Sequence, residues 1–226
     1  MGIYLIFGIF MLASWLVSSR LKSKFKEYSN EFLPSGLTGK DIAEKMLKQN
    51  GIDDVVVIST DGELTDHYNP LKKTVNLSEA VYYGANVSAA TVAAHECGHA
   101  IQHSKSYAFL TLRSQLVPVV EFSSRWMQWV LLAGILMINT FPTLLLIGII
   151  LFATTTLFSF ITLPVEFDAS RRALVWLDNS GVVNSIGHSK AQDALKWAAL
   201  TYVVAALGSL ASLLYYIMIY LGGDRR

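Results

Sequence analysis

The sequence predicts a mainly α-helical membrane protein with four spans and a small α+β domain on the cytoplasmic side. Two observations on composition favour this class. Hydrophobic residues make up 53% of the chain and charged residues only 15%, which is too apolar for a typical soluble domain. The apolar residues are also grouped into long blocks, whereas the segments between those blocks carry the charges and turn residues of a folded domain.

The first apolar block, residues 3–17, predicts a transmembrane anchor over residues 1–19. The alternative is a secretory signal peptide, but the flanking charges favour an anchor. The cations Arg20, Lys22, Lys24 and Lys26 follow the block, and no lysine or arginine precedes it. The segment is therefore interpreted as an uncleaved anchor with its N-terminus outside the cell.

Two further apolar blocks complete the four predicted spans. The block at residues 126–163 is interrupted by Asn-Thr-Phe-Pro at 139–142, which predicts a turn inside a transmembrane hairpin over residues 124–163. The last block predicts a transmembrane helix and a short tail over residues 198–226.

The cations predict the orientation in the membrane. Residues 20–123 and 164–197 carry clusters of lysine and arginine, whereas the predicted turn at 139–142 has no charge. The positive-inside rule therefore places both segments in the cytoplasm of a multi-pass protein of the cell membrane. A net charge of +1 gives no indication of a nucleic-acid partner.

The segment 20–123 has the patterns of a small soluble domain. Thr38 and Asp41 form a helix-capping signature before an amphipathic run. A β-branched run then meets Asp-Gly at 61–62, which predicts a β-hairpin. Residues 66–70 are predicted to be a loop, and residues 73–78 alternate as a short strand does.

A pair of histidines in the next predicted helix points to a metal. His95 and His99 are four residues apart, so one helix face can aim both imidazoles at one point, with Glu96 beside that point. This His-Glu-x-x-His pattern is expected of zinc hydrolases, with the glutamate as general base. His103 continues the spacing, but two turns of helix carry it about 12 Å from His95, too far for one ion. Cys97 is predicted to be a core residue.

A catalytic zinc needs a third protein ligand and an open position. The stretch Leu-Pro-Val-Glu-Phe-Asp at 163–168 leaves the predicted hairpin at Pro164 and begins a helix that carries Glu166 and Asp168. Either carboxylate can serve as the third ligand. Alternatively, the two carboxylates lie at a solvated helix N-terminus, where the helix dipole stabilises their negative charge.

At this point the chain resembles a known family. The stretches SGLTGKDIAEKML, LTDHYNP, KTVNLSEAVYYG, AAHECGHAIQH and LPVEFDASRRAL look like those of the YugP-like neutral zinc metallopeptidases of bacterial membranes. That family is similar in turn to the gluzincins of membranes, which include the CAAX prenyl proteases and the heat-shock membrane protease. The resemblance implies one zinc ion (Zn2+) in a zincin-like domain, with His95, His99 and Glu166 as ligands and Glu96 as general base.

The implied activity is that of a zinc-dependent metalloendopeptidase whose protein or peptide substrate is associated with the lipid bilayer. One departure from the gluzincin pattern concerns the residue four positions after the ligand glutamate. An aspartate usually stands there and orients a zinc histidine, but this chain has Ser170. Either Ser170 or Asp168 takes that role, or Asp168 replaces Glu166 as the ligand. Of these two carboxylates, Glu166 is the preferred ligand. The alternative function is a non-catalytic membrane adaptor or chaperone braced by a structural zinc. The oligomeric state is not specified by the sequence.

Overall fold

The computed structural model describes residues 2–223 of the chain. The architecture is mainly α-helical, as predicted, with one small sheet. The helices are α1 (Gly2–Tyr28), α2 (Gly39–Gln49), α3 (Glu79–Tyr82), α4 (Val87–Ser104), α5 (Ala108–Leu136), α6 (Pro142–Ser180) and α7 (Ser185–Gly223). The strands are β1 (Val56–Thr60), β2 (His67–Asn69) and β3 (Thr74–Ser78). The end of the predicted C-terminal tail, residues 224–226, lies outside the described residues.

Three helices within residues 2–223, and not the predicted four, are long and apolar enough to cross a membrane. They are α1, α6 and α7. Helix α5, which contains the second predicted span, does not qualify because Arg113, Glu121 and Arg125 interrupt its apolar residues. From Trp126 to its end at Leu136 the uncharged part of α5 rises only about 16 Å, roughly half the thickness of a bilayer core.

The chain divides into two compact units, which are here named the apolar unit and the site unit. The apolar unit comprises residues 2–16, 111–163 and 201–223, and the site unit comprises residues 17–110 and 164–200. In the apolar unit, Gly134 of α5 and Leu145 of α6 lie so close that a Cβ on Gly134 would meet the Leu145 backbone at 2.5 Å. The absence of a side chain at Gly134 therefore lets these two helices pack.

The sheet of the site unit differs from the predicted hairpin. Its strand order is β1-β3-β2, so β1 pairs with β3 and not with the residues directly after the Asp61-Gly62 turn, which form no strand. Strand β1 pairs with β3 in parallel, and β2 pairs with β3 in antiparallel fashion. The tight turn instead follows β2, where the Asn69 side chain accepts hydrogen bonds from the backbone N–H groups of Leu71 and Lys72. The predicted loop at 66–70 is therefore largely an edge strand.

The capping signature of α2 is confirmed. The Thr38 side chain accepts a hydrogen bond from the Asp41 backbone N–H, and the Asp41 carboxylate accepts one from the Thr38 N–H. Helix α2 packs against α4 through side chains that are almost fully buried, among them Ile42, Met46 and Cys97. This packing fixes one side of α4 and leaves its histidine face for other elements.

The sequence predicts that a new helix begins at Pro164, but α6 runs through this proline without interruption. Proline removes one backbone donor, so a single hydrogen bond is lost from the helix. On both sides of this point α6 has buried side chains, and their packing stabilises the helix. They are Ile161, Thr162 and Val165. Glu166 is consequently placed by a continuous helix, two residues beyond the proline.

Candidate metal centre

The histidine face of α4 lies where the spacing predicts. Asn86 caps this helix by accepting a hydrogen bond from the Ala89 N–H, and the helix ends at Ser104. His95 and His99 stand side by side with ring centroids 4.9 Å apart. Their side chains are only 14% and 12% exposed, so their Nε2 atoms face the interior of the site unit.

Helix α6 brings Glu166 to the same point. Its Oε2 atom lies 3.4 Å from Nε2 of His95 and 3.6 Å from Nε2 of His99. This close approach depends on Gly98, because a Cβ at that position would meet the backbone oxygen of Ala169 at 2.7 Å. The missing side chain of Gly98 lets the backbones of α4 and α6 come into contact, one turn of α6 beyond Glu166.

The three donors fit a zinc ion. One nitrogen or oxygen atom from each of His95, His99 and Glu166 lies within 4.8 Å of the other two. Tetrahedral zinc has bonds of about 2.0–2.1 Å to such atoms, which separates neighbouring donors by roughly 3.4 Å. The two observed histidine–glutamate distances match this separation, and imidazole and carboxylate are ligands that zinc accepts.

The electrostatics of the site favour a cation. Burial alone would raise the pKa of the Glu166 carboxyl group, but the adjacent imidazoles of His95 and His99 hold that pKa below its usual range. Glu166 is therefore a carboxylate at neutral pH although its side chain is only 4% exposed. A buried anion between two imidazoles is the charge arrangement that a divalent metal neutralises.

The other ring nitrogen of each histidine has a polar partner that sets its orientation. Nδ1 of His95 lies 3.3 Å from the Ser170 hydroxyl, and Nδ1 of His99 lies 3.1 Å from the Gln102 side-chain oxygen. Contacts on Nδ1 leave Nε2 available for a metal and hold each ring in one plane. Ser170 thus occupies the orienting position that the sequence left open.

Asp168 acts on the site through Gln102. The fully buried Gln102 amide donates hydrogen bonds to the Asp168 carboxylate at 2.9 Å and to the Val165 carbonyl oxygen at 2.8 Å. Burial opposes ionisation of Asp168, but hydrogen bonds from Arg171, Gln102 and Arg172 lower its pKa. Because both Asp168 oxygens are engaged in this way, Glu166 and not Asp168 lies beside the histidines.

Glu96, the residue that follows His95 on α4, is anchored by the sheet. Its Oε2 atom accepts a hydrogen bond of 3.0 Å from the backbone N–H of Tyr68 in β2, and its side chain is 9% exposed. One carboxylate oxygen is therefore fixed by β2, while the other can accept a proton. This is the arrangement that a general base next to a metal requires.

Two other residues of the α4 sequence lie away from the donors. His103 is exposed near the end of the helix, and its Nδ1 lies 2.8 Å from the Tyr68 hydroxyl. Cys97 is buried with its sulfur directed at the Ala43 carbonyl oxygen, and burial raises the pKa of its thiol. Among the described residues, the group able to hold a metal is His95, His99 and Glu166.

Comparison with known proteins agrees with this geometry. Residues 3–221 match the model of a family described as "Putative neutral zinc metallopeptidase". The chain belongs to this family. The resemblance predicted from the sequence is therefore confirmed, and zinc is the metal that the family name implies.

A curated relative is similar along nearly its whole length. The chain is 43% identical over 221 residues to "Putative membrane protease YugP" of Bacillus subtilis (strain 168), which covers 98% of this chain and 97% of that protein. No solved structure matches the chain. The name of this relative and the three apolar helices together fit a membrane protein with a protease-type site.

Proposed function

We propose that this protein is an integral membrane metalloendopeptidase that holds one zinc ion with His95, His99 and Glu166. The reaction is the hydrolysis of peptide bonds in protein or peptide substrates, with Glu96 as the general base that takes the proton of the attacking water. The observation that carries the proposal is the convergence of three donors from α4 and α6 at 3.4 and 3.6 Å, with the anchored Glu96 beside them.

The chemistry divides between the metal and the chain. A zinc ion held at these donors supplies Lewis acidity that activates water and polarises the scissile carbonyl group. Glu96 accepts the proton of the attacking water on its free oxygen and delivers it to the leaving amine nitrogen. The Tyr68 N–H keeps the carboxylate of Glu96 oriented during both transfers.

The number of donors favours an enzyme over a structural zinc site. Structural sites are closed by four protein ligands, whereas catalytic sites have three and keep one position open. The part of the chain that the structure describes offers three donors, and the nearby His103 and Asp168 are engaged elsewhere. A purely structural zinc site would also not require a general base such as Glu96.

The membrane proposal is a multi-pass protein of the cell membrane with its site on the cytoplasmic side. Residues 17–110 and 164–200 form one compact unit, which supports placing both segments on the same side of a bilayer. If the apolar part of α6 crosses the bilayer, the chain between residues 110 and 142 has to cross as well. Helix α5 has 29 residues and rises about 43 Å, which is long enough despite its charged residues.

Cysteine labelling tests this topology on a Cys97→Ala background. Exposed positions in the two segments of the site unit, Lys48→Cys and Gln192→Cys, are expected to react with a membrane-impermeant maleimide only after the cells are permeabilised. Asn139→Cys, in the turn between α5 and α6, is expected to react in intact cells. Labelling of Lys48→Cys and Gln192→Cys from outside would contradict the orientation, and protection of Asn139→Cys would contradict a crossing by α5.

The proposed activity is tested by comparing the membrane proteomes of cells that carry the wild type or Glu96→Gln. Glutamine can still accept the Tyr68 hydrogen bond but cannot take up the proton, so the variant is expected to fold and hold zinc while its substrates accumulate uncut. New protein termini should be found only with the wild type. Identical termini in both cells would count against a peptidase.

A third prediction concerns Gln102, which links His99 to Asp168. Gln102→Ala is expected to weaken zinc binding by about 10- to 100-fold, the range typical of residues that orient metal ligands. Competition with a chelator on the purified protein measures this. The exposed Gln192→Ala is the matched control and should keep wild-type affinity. Unchanged affinity in Gln102→Ala would mean that Gln102 serves packing alone.

A further inference from the structure

A cleft of about 570 Å³ lies along the N-terminal half of α4. One wall is the C-terminal part of α1, with Lys22, Phe25 and Lys26. Another wall is the loop at residues 63–66, and Val92 of α4 also lines the cleft. All of these residues belong to the site unit.

The cleft shares two elements, α4 and the segment that enters β2, with the proposed zinc site. Val92 precedes His95 by three residues, so it lies on the same helix face and about 4.5 Å away along the axis. The loop wall continues from Asp66 into β2, where the Tyr68 N–H holds Glu96. A peptide chain lying in the cleft would therefore extend from the scissile bond along α4 toward α1.

The loop wall is held in an unusual conformation. Leu64 has a positive φ of 57°, which disfavours a residue with a Cβ, and its side chain is 52% exposed at the cleft. The neighbouring Gly62 has a φ of 99°. Strain of this kind persists only where the surrounding structure enforces it, and it is concentrated at binding sites. The loop thus keeps an apolar side chain at the rim, where the packing of the domain alone gives no reason for one.

The α1 wall is cationic and lacks an internal counter-charge. Lys22 and Lys26 are one helical turn apart, so their like charges destabilise α1 slightly. Within residues 2–223 neither lysine forms an ion pair, whereas Lys24 on another face of α1 pairs with Glu27 at 3.1 Å and Asp193 at 3.5 Å. An anion bound in the cleft would relieve this repulsion.

The acidic residues of the cleft lie on the other wall. The Asp66 carboxylate accepts hydrogen bonds from the backbone N–H and the hydroxyl of Ser78, so it is occupied by the fold. Glu63 is exposed in the loop and would repel an anion that approached that side. A bound carboxylate is therefore directed to the α1 wall.

We propose that this cleft binds one side of an extended peptide substrate and that Lys22 and Lys26 select an acidic residue within that bound segment. The inference rests on the proposed function and adds the substrate class: apolar segments followed or preceded by an aspartate or glutamate. Apolar contacts to Phe25, Leu64 and Val92 hold the chain, and the two lysines set the preferred position of the carboxylate.

Peptide binding tests the inference without relying on turnover. The probe is the full-length, zinc-loaded Glu96→Gln protein in nanodiscs of neutral lipid, mixed with fluorescent peptides of about ten residues. Each peptide has an alanine and leucine background in which one Asp, Gln or Lys is moved through successive positions. At one position Asp is expected to bind about 5- to 10-fold tighter than Gln, the sum of two exposed ion pairs, and this gain should vanish at high salt.

Charge reversal supplies the decisive comparison. The double variant Lys22→Glu, Lys26→Glu is expected to prefer Lys over Asp at that same position, with unchanged zinc content. Lys48→Glu, an exposed reversal on α2 away from the cleft, should leave the preference as in the wild type. Binding that is indifferent to peptide charge, or a preference that survives the double reversal, overturns the inference.

Two further outcomes separate the cleft from its alternatives. If the double variant changes only the response to anionic lipid in the nanodisc, the lysines serve lipid headgroups and the inference is overturned. If wild-type protein never cleaves the peptides, yet their binding follows the charge of Lys22 and Lys26, the proposed peptidase function fails while the peptide cleft stands.

Discussion

Glu166→Ala is expected to lose bound zinc completely under conditions in which the wild type retains one ion per chain. The loss should exceed the roughly 100-fold upper range of orienting residues, because Glu166 is one of the three donors found among residues 2–223 and carries the negative charge of that group. Metal analysis of the purified variant measures the effect.

The same change is expected to loosen the site unit. Zinc binding to a site that does not exist in the unfolded chain contributes its free energy to folding, and this site joins α4 to α6. Limited proteolysis should therefore cut Glu166→Ala faster between residues 29 and 90, whereas Glu96→Gln should resist as the wild type does. Asp168→Asn is the matched control on α6, with a weaker loss of about 10- to 100-fold. If Asp168→Asn stripped the metal and Glu166→Ala kept it, the ligand assignment would be wrong.

His95→Ala and His99→Ala are each expected to abolish zinc binding, whereas His103→Ala keeps it. All three histidines lie on α4, but only the first two direct a nitrogen at Glu166 within 3.6 Å. His103 is exposed and contacts the Tyr68 hydroxyl, so its loss removes a hydrogen bond without touching the donors. Metal content of the three purified variants decides the matter, and equal loss in all three would require a different ligand set.

Local patterns explain how much of the site could be predicted. The four-residue spacing of His95 and His99 fixes their common face because helix geometry is the same in every protein. The position of Glu166 depended on a resemblance to a family, because 66 residues and several elements separate it from His99. No rule of spacing brings two such distant carboxylate and imidazole groups together.

Gln102 and Gly98 were missed for a related reason. In the sequence, a glutamine three residues after a zinc histidine is indistinguishable from any other polar residue of a helix. The partners of Gln102, Val165 and Asp168, lie on another helix. From the sequence alone, Gly98 only lowers the stability of the helix. The structure shows its role, because the Ala169 backbone packs against it. The role of each residue is evident only from contacts between α4 and α6.

The errors in the fold have equally specific causes. Asp61-Gly62 is a strong hairpin signal, but the parallel pairing of β1 with β3 is a long-range arrangement that turn chemistry cannot reveal. Pro164 suggested a helix boundary, although a buried helix tolerates the loss of one hydrogen bond. The second predicted span does not stand out by length and hydropathy, because the apolar end of α5 is short and follows charged residues.

Zinc titration of the metal-free protein tests the central claim most directly. Wild type and Glu96→Gln are stripped with a chelator, reloaded with measured amounts of zinc, and assayed for bound metal and for cleavage of a fluorogenic peptide library. The wild type is expected to regain hydrolysis in proportion to zinc up to one ion per chain, and Glu96→Gln to bind the same zinc without cleaving. Hydrolysis by the metal-free wild type, or by zinc-loaded Glu96→Gln at the wild-type rate, would contradict the account.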